Sequence, residues 1–151
     1  MKRWLLHPWL SLGVRLVLGG IFVAAALPKL ADPPGFAKAV WAYDLVPPTL
    51  LNPMALVLPW LELVCGLALV AGWWRREAAL WLGALLLAFC LAVGINLVRR
   101  HPVDCGCFGA SAPRTEAERL ADMRWVLARD LALLLLVLQV GLASANSVKP
   151  E

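Results

Sequence analysis

Between Ala78 and Leu97 the chain runs "AALWLGALLLAFCLAVGINL" without a single acidic or basic residue. A helix needs about 20 predominantly apolar residues to cross a hydrocarbon layer about 30 Å thick. This run meets that length, and so do Leu10–Leu30, Pro53–Trp73 and Trp125–Ala145. In each, Leu, Val and Ala fill consecutive positions. Barrel strands would alternate apolar with polar residues, so the spans are read as helices whose backbone groups are satisfied internally. The composition agrees. The 151 residues are 62% hydrophobic and 16% charged, with a mean hydropathy of +0.76. A soluble domain is typically about 45–50% apolar and about 25% charged. The expected fold class is all-α: an antiparallel four-helix transmembrane bundle forming one integral membrane domain over residues 1–151. Its spans lie at about 10–30, 53–73, 78–97 and 125–145, with a polar Cys-x-Cys loop between helices three and four.

Local signals punctuate these spans. Asn52-Pro53 reads as an N-cap followed by a first-turn proline for the second span. Thr115 and Glu118 have the spacing of a capping box, which predicts a short amphipathic helix starting near Glu116 and open to running on into the fourth span. Trp4, Trp9, Trp41, Tyr43, Trp73, Trp74 and Trp125 lie near the expected span ends, where amphipathic aromatics prefer to sit. Lys2 and Arg3, followed by an apolar run and Ala24–Ala26, resemble a secretory signal peptide. The length of that run and the charges Arg15 and Lys29 within it favour an anchored span instead.

The formal net charge is +4, with no basic tract. It therefore concerns membrane orientation and local pairing, and no nucleic-acid partner is expected. Counted across the four spans, the basic residues nearly balance between the two sides, with a slight excess that would put the cysteine loop inside. Thiol chemistry argues for the other side, because disulfides form and persist in oxidising compartments. The expectation adopted is a multi-pass protein of a bacterial cytoplasmic membrane with the cysteine loop on its outer face.

Charges inside spans are costly and usually face the bundle interior. Arg15 and Lys29 are 14 residues apart, which at about 100° per residue puts them on one face of the first helix. Glu62 lies near the middle of the second span, one turn before Cys65. A buried pair of Glu62 with Lys29 or Arg129 would fix helix register, although such pairs often only offset their own desolvation. Glu62 could instead relay protons or tune a thiol. Arg15 could snorkel to the nearby interface. Arg129-Asp130 reads as an end-of-helix pair without chemistry, and Asn96 is a further polar group within a span.

The stretch "HPVDCGCFGAS", residues 101–111, carries Cys105 and Cys107. A thiolate is the reactive form, and nearby cations lower its pKa. Arg99, Arg100 and His101 supply positive charge just upstream, partly opposed by Asp104. Gly106 and Gly109 permit the sharp turn that would bring the two sulfurs together. A disulfide across one intervening residue is strained, which makes it labile and suited to exchange. Metal binding and an incidental structural pair stay open beside this redox reading. Cys-x-Cys alone falls short of a four-ligand zinc pattern, so no metal is expected. Cys65 and Cys90 read as small buried apolar residues. Of the two, Cys65 is the better candidate for a second redox partner, because of Glu62.

The segments "RLVLGGIFVAAALPKLADP", "LPWLELVCGLALV" and "DCGCFG", with "RD" in the last span, resemble the MauE proteins, within the wider DoxX-like membrane family. The similarity covers roughly residues 12–143, and "DCGCFG" is its most specific piece. The resemblance implies a four-helix membrane protein linked to maturation of methylamine dehydrogenase, whose small subunit is rich in disulfides. It also implies a thioredoxin-like partner. By motif match it carries over Lys29, Glu62, Cys105, Cys107, Phe108, Gly109 and Arg129. The expected function is thiol–disulfide exchange by Cys105 and Cys107 with a thioredoxin-fold protein. A non-catalytic scaffold or assembly factor and a small transporter are the alternatives. No cofactor is evident. A quinone would be one way to carry electrons onward, but no motif supports it.

Overall fold

The computed structural model describes residues 8–103 and 115–147. These form five helices: α1 (Pro8–Ala31), α2 (Pro33–Ala42), α3 (Pro48–Ala71), α4 (Arg75–Val98) and α5 (Glu116–Ser147). Four of them, α1, α3, α4 and α5, are long and apolar enough to cross a membrane. At a rise of about 1.5 Å per residue, even the 24-residue helices are longer than the hydrocarbon layer is thick.

The bundle is antiparallel. Arg15 of α1 meets Leu69 of α3, while Lys29, further along α1, meets Glu62, earlier in α3. In the second pair, Gly83 of α4 faces Val137 of α5, and Val93 clusters with Met123. The chain thus builds two helix hairpins, α1 with α3 and α4 with α5, side by side. The interior is filled by Leu18, Phe22, Leu69, Leu82, Leu86, Val137 and Val140. Large apolar side chains such as Leu56, Val64, Leu87, Leu91, Leu135 and Leu142 are exposed around the outside. Buried positions meanwhile include Arg15, Lys29, Asn96 and Asp130. Polar groups inside and hydrocarbon outside is the arrangement that lipid, not water, selects.

Several expectations shift. The second span starts at Pro48, capped by Pro47, and not at Asn52-Pro53. Pro48 already supplies a preset φ at the first helical position, so the helix nucleates there and Pro53 is absorbed within it. The capping box is present: Thr115 Oγ1 accepts from the Glu118 N–H at 3.3 Å, and the Thr115 N–H donates to Glu118 Oε2 at 2.9 Å. From it α5 runs unbroken for 32 residues, so the last span begins well before Trp125.

Helix α2 has no counterpart among the expected spans. The Asp32 side chain accepts from the Gly35 N–H at 3.0 Å, and prolines occupy the first two helical positions. Cap and prolines together start a new helix one residue after α1 ends. Tyr43, expected at the lipid boundary, is instead buried and stacks obliquely on Phe89 of α4. Trp9, Trp41, Trp73, Trp74 and Trp125 are exposed, as interfacial aromatics should be. Trp4 and the expected Cys-x-Cys loop, with Cys105, Cys107, Phe108 and Gly109, lie outside the described residues.

Candidate functional site

A cavity of about 420 Å³ lies inside the bundle, and all five helices contribute to its wall. Helix α1 presents Ile21, Ala25 and Lys29, spaced at four residues so that they share one face. Helix α3 presents Met54, Leu58 and Glu62 at the same spacing. Helix α4 adds Leu85, Ala88, Phe89 and Ala92; α5 adds Arg129, Asp130 and Leu133. Helix α2 closes one end with Phe36, Ala39 and Val40, and Tyr43 follows directly after it. The wall is mostly apolar, with four aromatic rings counting Phe22, and its polarity is concentrated in four charged side chains.

Those charges are paired. Lys29 Nζ donates to both carboxylate oxygens of Glu62, at 2.8 and 2.7 Å. The same ammonium lies 5.2 Å from the centre of the Phe36 ring, within cation–π range. Arg129 Nε donates to Asp130 Oδ1 at 2.9 Å. Among the described residues, two cations and two carboxylates therefore face one cavity. Of the two pairings expected for Glu62, the structure shows the one with Lys29. The expectation for Arg129-Asp130 needs correction. Because α5 starts at Glu116, the pair sits deep within the helix, not at its end. Asp130 is 3% exposed and contributes to the cavity wall.

Arg15 also departs from expectation. It does not reach out to the interface but is buried, its Nε donating to the Leu69 carbonyl at 2.9 Å. That carbonyl belongs to the last turn of α3, where unpaired acceptors and the helix dipole favour a cation. Arg15 is thus a structural clamp at the far end of the bundle from the cavity charges. Asn96 does similar work at the near end: its Nδ2 donates to the Tyr43 and Ala92 carbonyls, both at 3.1 Å, tying α4 to the chain after α2.

Cys65 and Cys90 are buried free thiols. Cys65 belongs to the core cluster of Leu18, Phe22 and Leu69, one turn beyond Glu62, and is not among the described residues that line the cavity. Arg99, Arg100 and His101 are exposed where α4 ends. Just beyond them Val103 is buried again and clusters with Tyr43, Val93 and Met123. The chain entering the Asp104–Arg114 segment therefore leaves from a buried cluster that includes Tyr43, itself part of the cavity wall. No group of three or more His, Cys, Asp or Glu side chains suited to a metal occurs among the described residues.

The family model described as methylamine utilisation protein MauE matches residues 7–144. The chain belongs to the MauE family. A MauE of Methylophilus methylotrophus is 37% identical over 108 residues, covering 71% of this chain and 57% of that one. For a MauE of Paracoccus denitrificans the figures are 38% over 109 residues, 72% and 59%. For one of Methylorubrum extorquens they are 40% over 105 residues, 69% and 56%. The matched part of this MauE-family chain spans less than three-fifths of each of these relatives. No solved structure matches it. The family and the four apolar helices together make the chain a multi-pass membrane protein.

Sequence reasoning finds Lys29, Glu62 and Arg129 but discounts Asp130 and misses Phe36 and the inward place of Tyr43. Asp32-Pro33-Pro34 is the available signal for α2, and α2 is what brings both aromatics to the site.

Proposed function

We propose that this chain is a membrane thiol–disulfide exchange component that works with a thioredoxin-fold partner in methylamine utilisation. In this reading it resides in a bacterial cytoplasmic membrane with the Cys105–Cys107 segment at the outer face. Its task would be to help mature a disulfide-rich dehydrogenase subunit. The observation that carries the reading is the sequence spacing of Cys105 and Cys107, one glycine apart, in the segment that joins the packed Val103 to the capping box at Thr115.

Atoms and electrons balance in the exchange. One cysteine, as thiolate, attacks a disulfide sulfur of the partner, forming a mixed disulfide and releasing the partner's other sulfur as thiolate. The second cysteine then attacks the mixed disulfide through its own thiolate. The chain's dithiol becomes a disulfide, the partner's disulfide becomes a dithiol, and two electrons with two protons have moved. The reverse direction uses the same steps. Arg99, Arg100 and His101 would favour the attacking thiolate by their positive charge. Lys29, Glu62, Arg129 and Asp130 would hold the bundle interior beneath.

Trapping tests this. In host membranes, Cys107→Ser should accumulate a mixed disulfide through Cys105 that mass spectrometry identifies as a thioredoxin-fold protein. The Cys105→Ser, Cys107→Ser chain, present at normal level, should no longer support maturation. Full support by that double variant would overturn the exchange reading in favour of a non-catalytic scaffold.

A further inference from the structure

We propose that the α3–α4 turn, with Arg15 behind it, holds the phosphate of an anionic phospholipid headgroup. Arg15 is only 8% exposed, yet it forms no ion pair with a carboxylate among the described residues. Its Nε donates to the Leu69 carbonyl, while Nη1 and Nη2 have no hydrogen-bond partner among the described residues. Neither of these two nitrogens is sealed off from the surface. Both lie against the turn: a Cβ on Gly72 would sit 2.9 Å from Nη2, and the next nearest atoms are Cζ and Nη1 at 3.3 and 3.4 Å. A largely buried cation with open donors is unfavourable, and an anion docked on those donors offsets the penalty.

A second guanidinium meets the same residue. Arg75 Nε donates to the Gly72 carbonyl at 3.0 Å, so Arg15 and Arg75 converge on Gly72, and exposed Arg76 follows. Like charges gathered at one turn repel unless an anion lies among them. Glu77, in the first turn of α4, is exposed and forms no ion pair among the described residues. Helix α4 also starts at this turn without a side-chain cap, from Trp74 at φ 45°. Its uncapped N–H groups and positive dipole end therefore add to the guanidiniums, a combination that suits phosphate.

Depth in the membrane selects a lipid as the source. The turn joins two membrane-spanning helices, so it lies at the boundary of the hydrocarbon layer. Trp73 and Trp74 are 76% and 79% exposed there, and such rings settle at headgroup level. The sequence before α1 and after α5 adds Lys2, Arg3 and Lys149 against Glu151. The basic excess persists when those residues are counted, which favours an anionic over a zwitterionic lipid. The site lies at the opposite end of the bundle from the Lys29–Glu62 pair and does not depend on the exchange reading.

The test titrates lipid into the full chain in detergent and counts bound lipid by native mass spectrometry. Phosphatidylglycerol should bind about tenfold more tightly than phosphatidylcholine. The Arg75→Gln, Arg76→Gln chain should lose that preference; both side chains are exposed, so the core is left intact. The Lys38→Gln, Arg124→Gln chain loses the same charge from exposed positions at the other end and should keep it. Inorganic phosphate at millimolar concentration should not displace the lipid. Equal binding of the two lipids by the wild-type chain overturns the inference without recourse to any variant. So does a preference that survives in the Arg75→Gln, Arg76→Gln chain, or one that disappears equally in both paired variants and so reflects overall charge. Displacement by inorganic phosphate would assign the turn to the free ion and overturn the lipid.

Discussion

Lys29 Nζ bridges both carboxylate oxygens of Glu62, at 2.8 and 2.7 Å, across the α1–α3 interface. The two side chains are only 8% and 14% exposed, so each ion depends on the other. Removing one partner of a buried pair strands the other charge, which typically costs about 3–5 kcal/mol. Replacing both with apolar groups of similar volume is often close to neutral. Lys29→Met and Glu62→Leu should therefore each lower unfolding stability in detergent, while the double variant should recover most of the loss. A double-mutant cycle on thermal or denaturant unfolding checks this. Additive losses would mean that the pair holds nothing together.

The hairpin also depends on the close approach of Gly19 in α1 to Gly66 in α3. A Cβ on Gly19 would lie 2.6 Å from the Gly66 carbonyl oxygen and 2.6 Å from Val70 Cγ2. One on Gly20 would meet nothing within 4 Å. Small residues let membrane helices approach closely, and forcing bulk into such a contact costs typically about 1–3 kcal/mol. Gly19→Ala should thus destabilise the bundle by that order, whereas Gly20→Ala should be neutral or slightly stabilising through helix propensity. Unfolding midpoints of the two variants under identical detergent conditions make the comparison.

At the C-terminal end of α3, Gly72 adopts φ +80° and donates its N–H to the Ala68 carbonyl at 2.9 Å. A Cβ there would sit 2.9 Å from Arg15 Nη2. Gly72→Ala combines a left-handed backbone penalty with displacement of the guanidinium that caps α3. It should cost more than the roughly 1 kcal/mol of an isolated left-handed alanine. Arg15→Lys should not substitute, because a point ammonium lacks the planar fork of the guanidinium. Denaturant unfolding of both variants, beside Gly20→Ala as a neutral control, reads the effect.

The membrane helices are legible in the sequence because lipid demands long uninterrupted apolar runs, and nothing short of a charge disturbs that pattern. Their ends are less legible. Asn52-Pro53 and Pro47-Pro48 offer rival starts, and only packing decides between them. Likewise, Arg129-Asp130 looks terminal only while the polar first turns of α5 are counted outside the span. Lys29 and Glu62 stand out as charges that lipid would reject. Their joint cavity does not, because it depends on α2, a ten-residue helix with no buried residue of its own. The rings of Phe36 and Tyr43 reach the cavity only because that helix folds back.

The capping box lies immediately after the cysteine segment, so it fixes where α5 begins. Thr115→Ala removes the hydroxyl that accepts the Glu118 N–H and should cost about 1 kcal/mol, as N-cap losses typically do. Because α5 is 32 residues long and its interior is held by packing against α4, the loss should stay local. Hydrogen exchange should rise in the first turn, around Glu116–Arg119, and stay unchanged beyond Met123, which is fully buried against Val93. Exchange measured by mass spectrometry on the reconstituted chain distinguishes this from global destabilisation, which would raise exchange along α5 as a whole and show that the box contributes to bundle assembly.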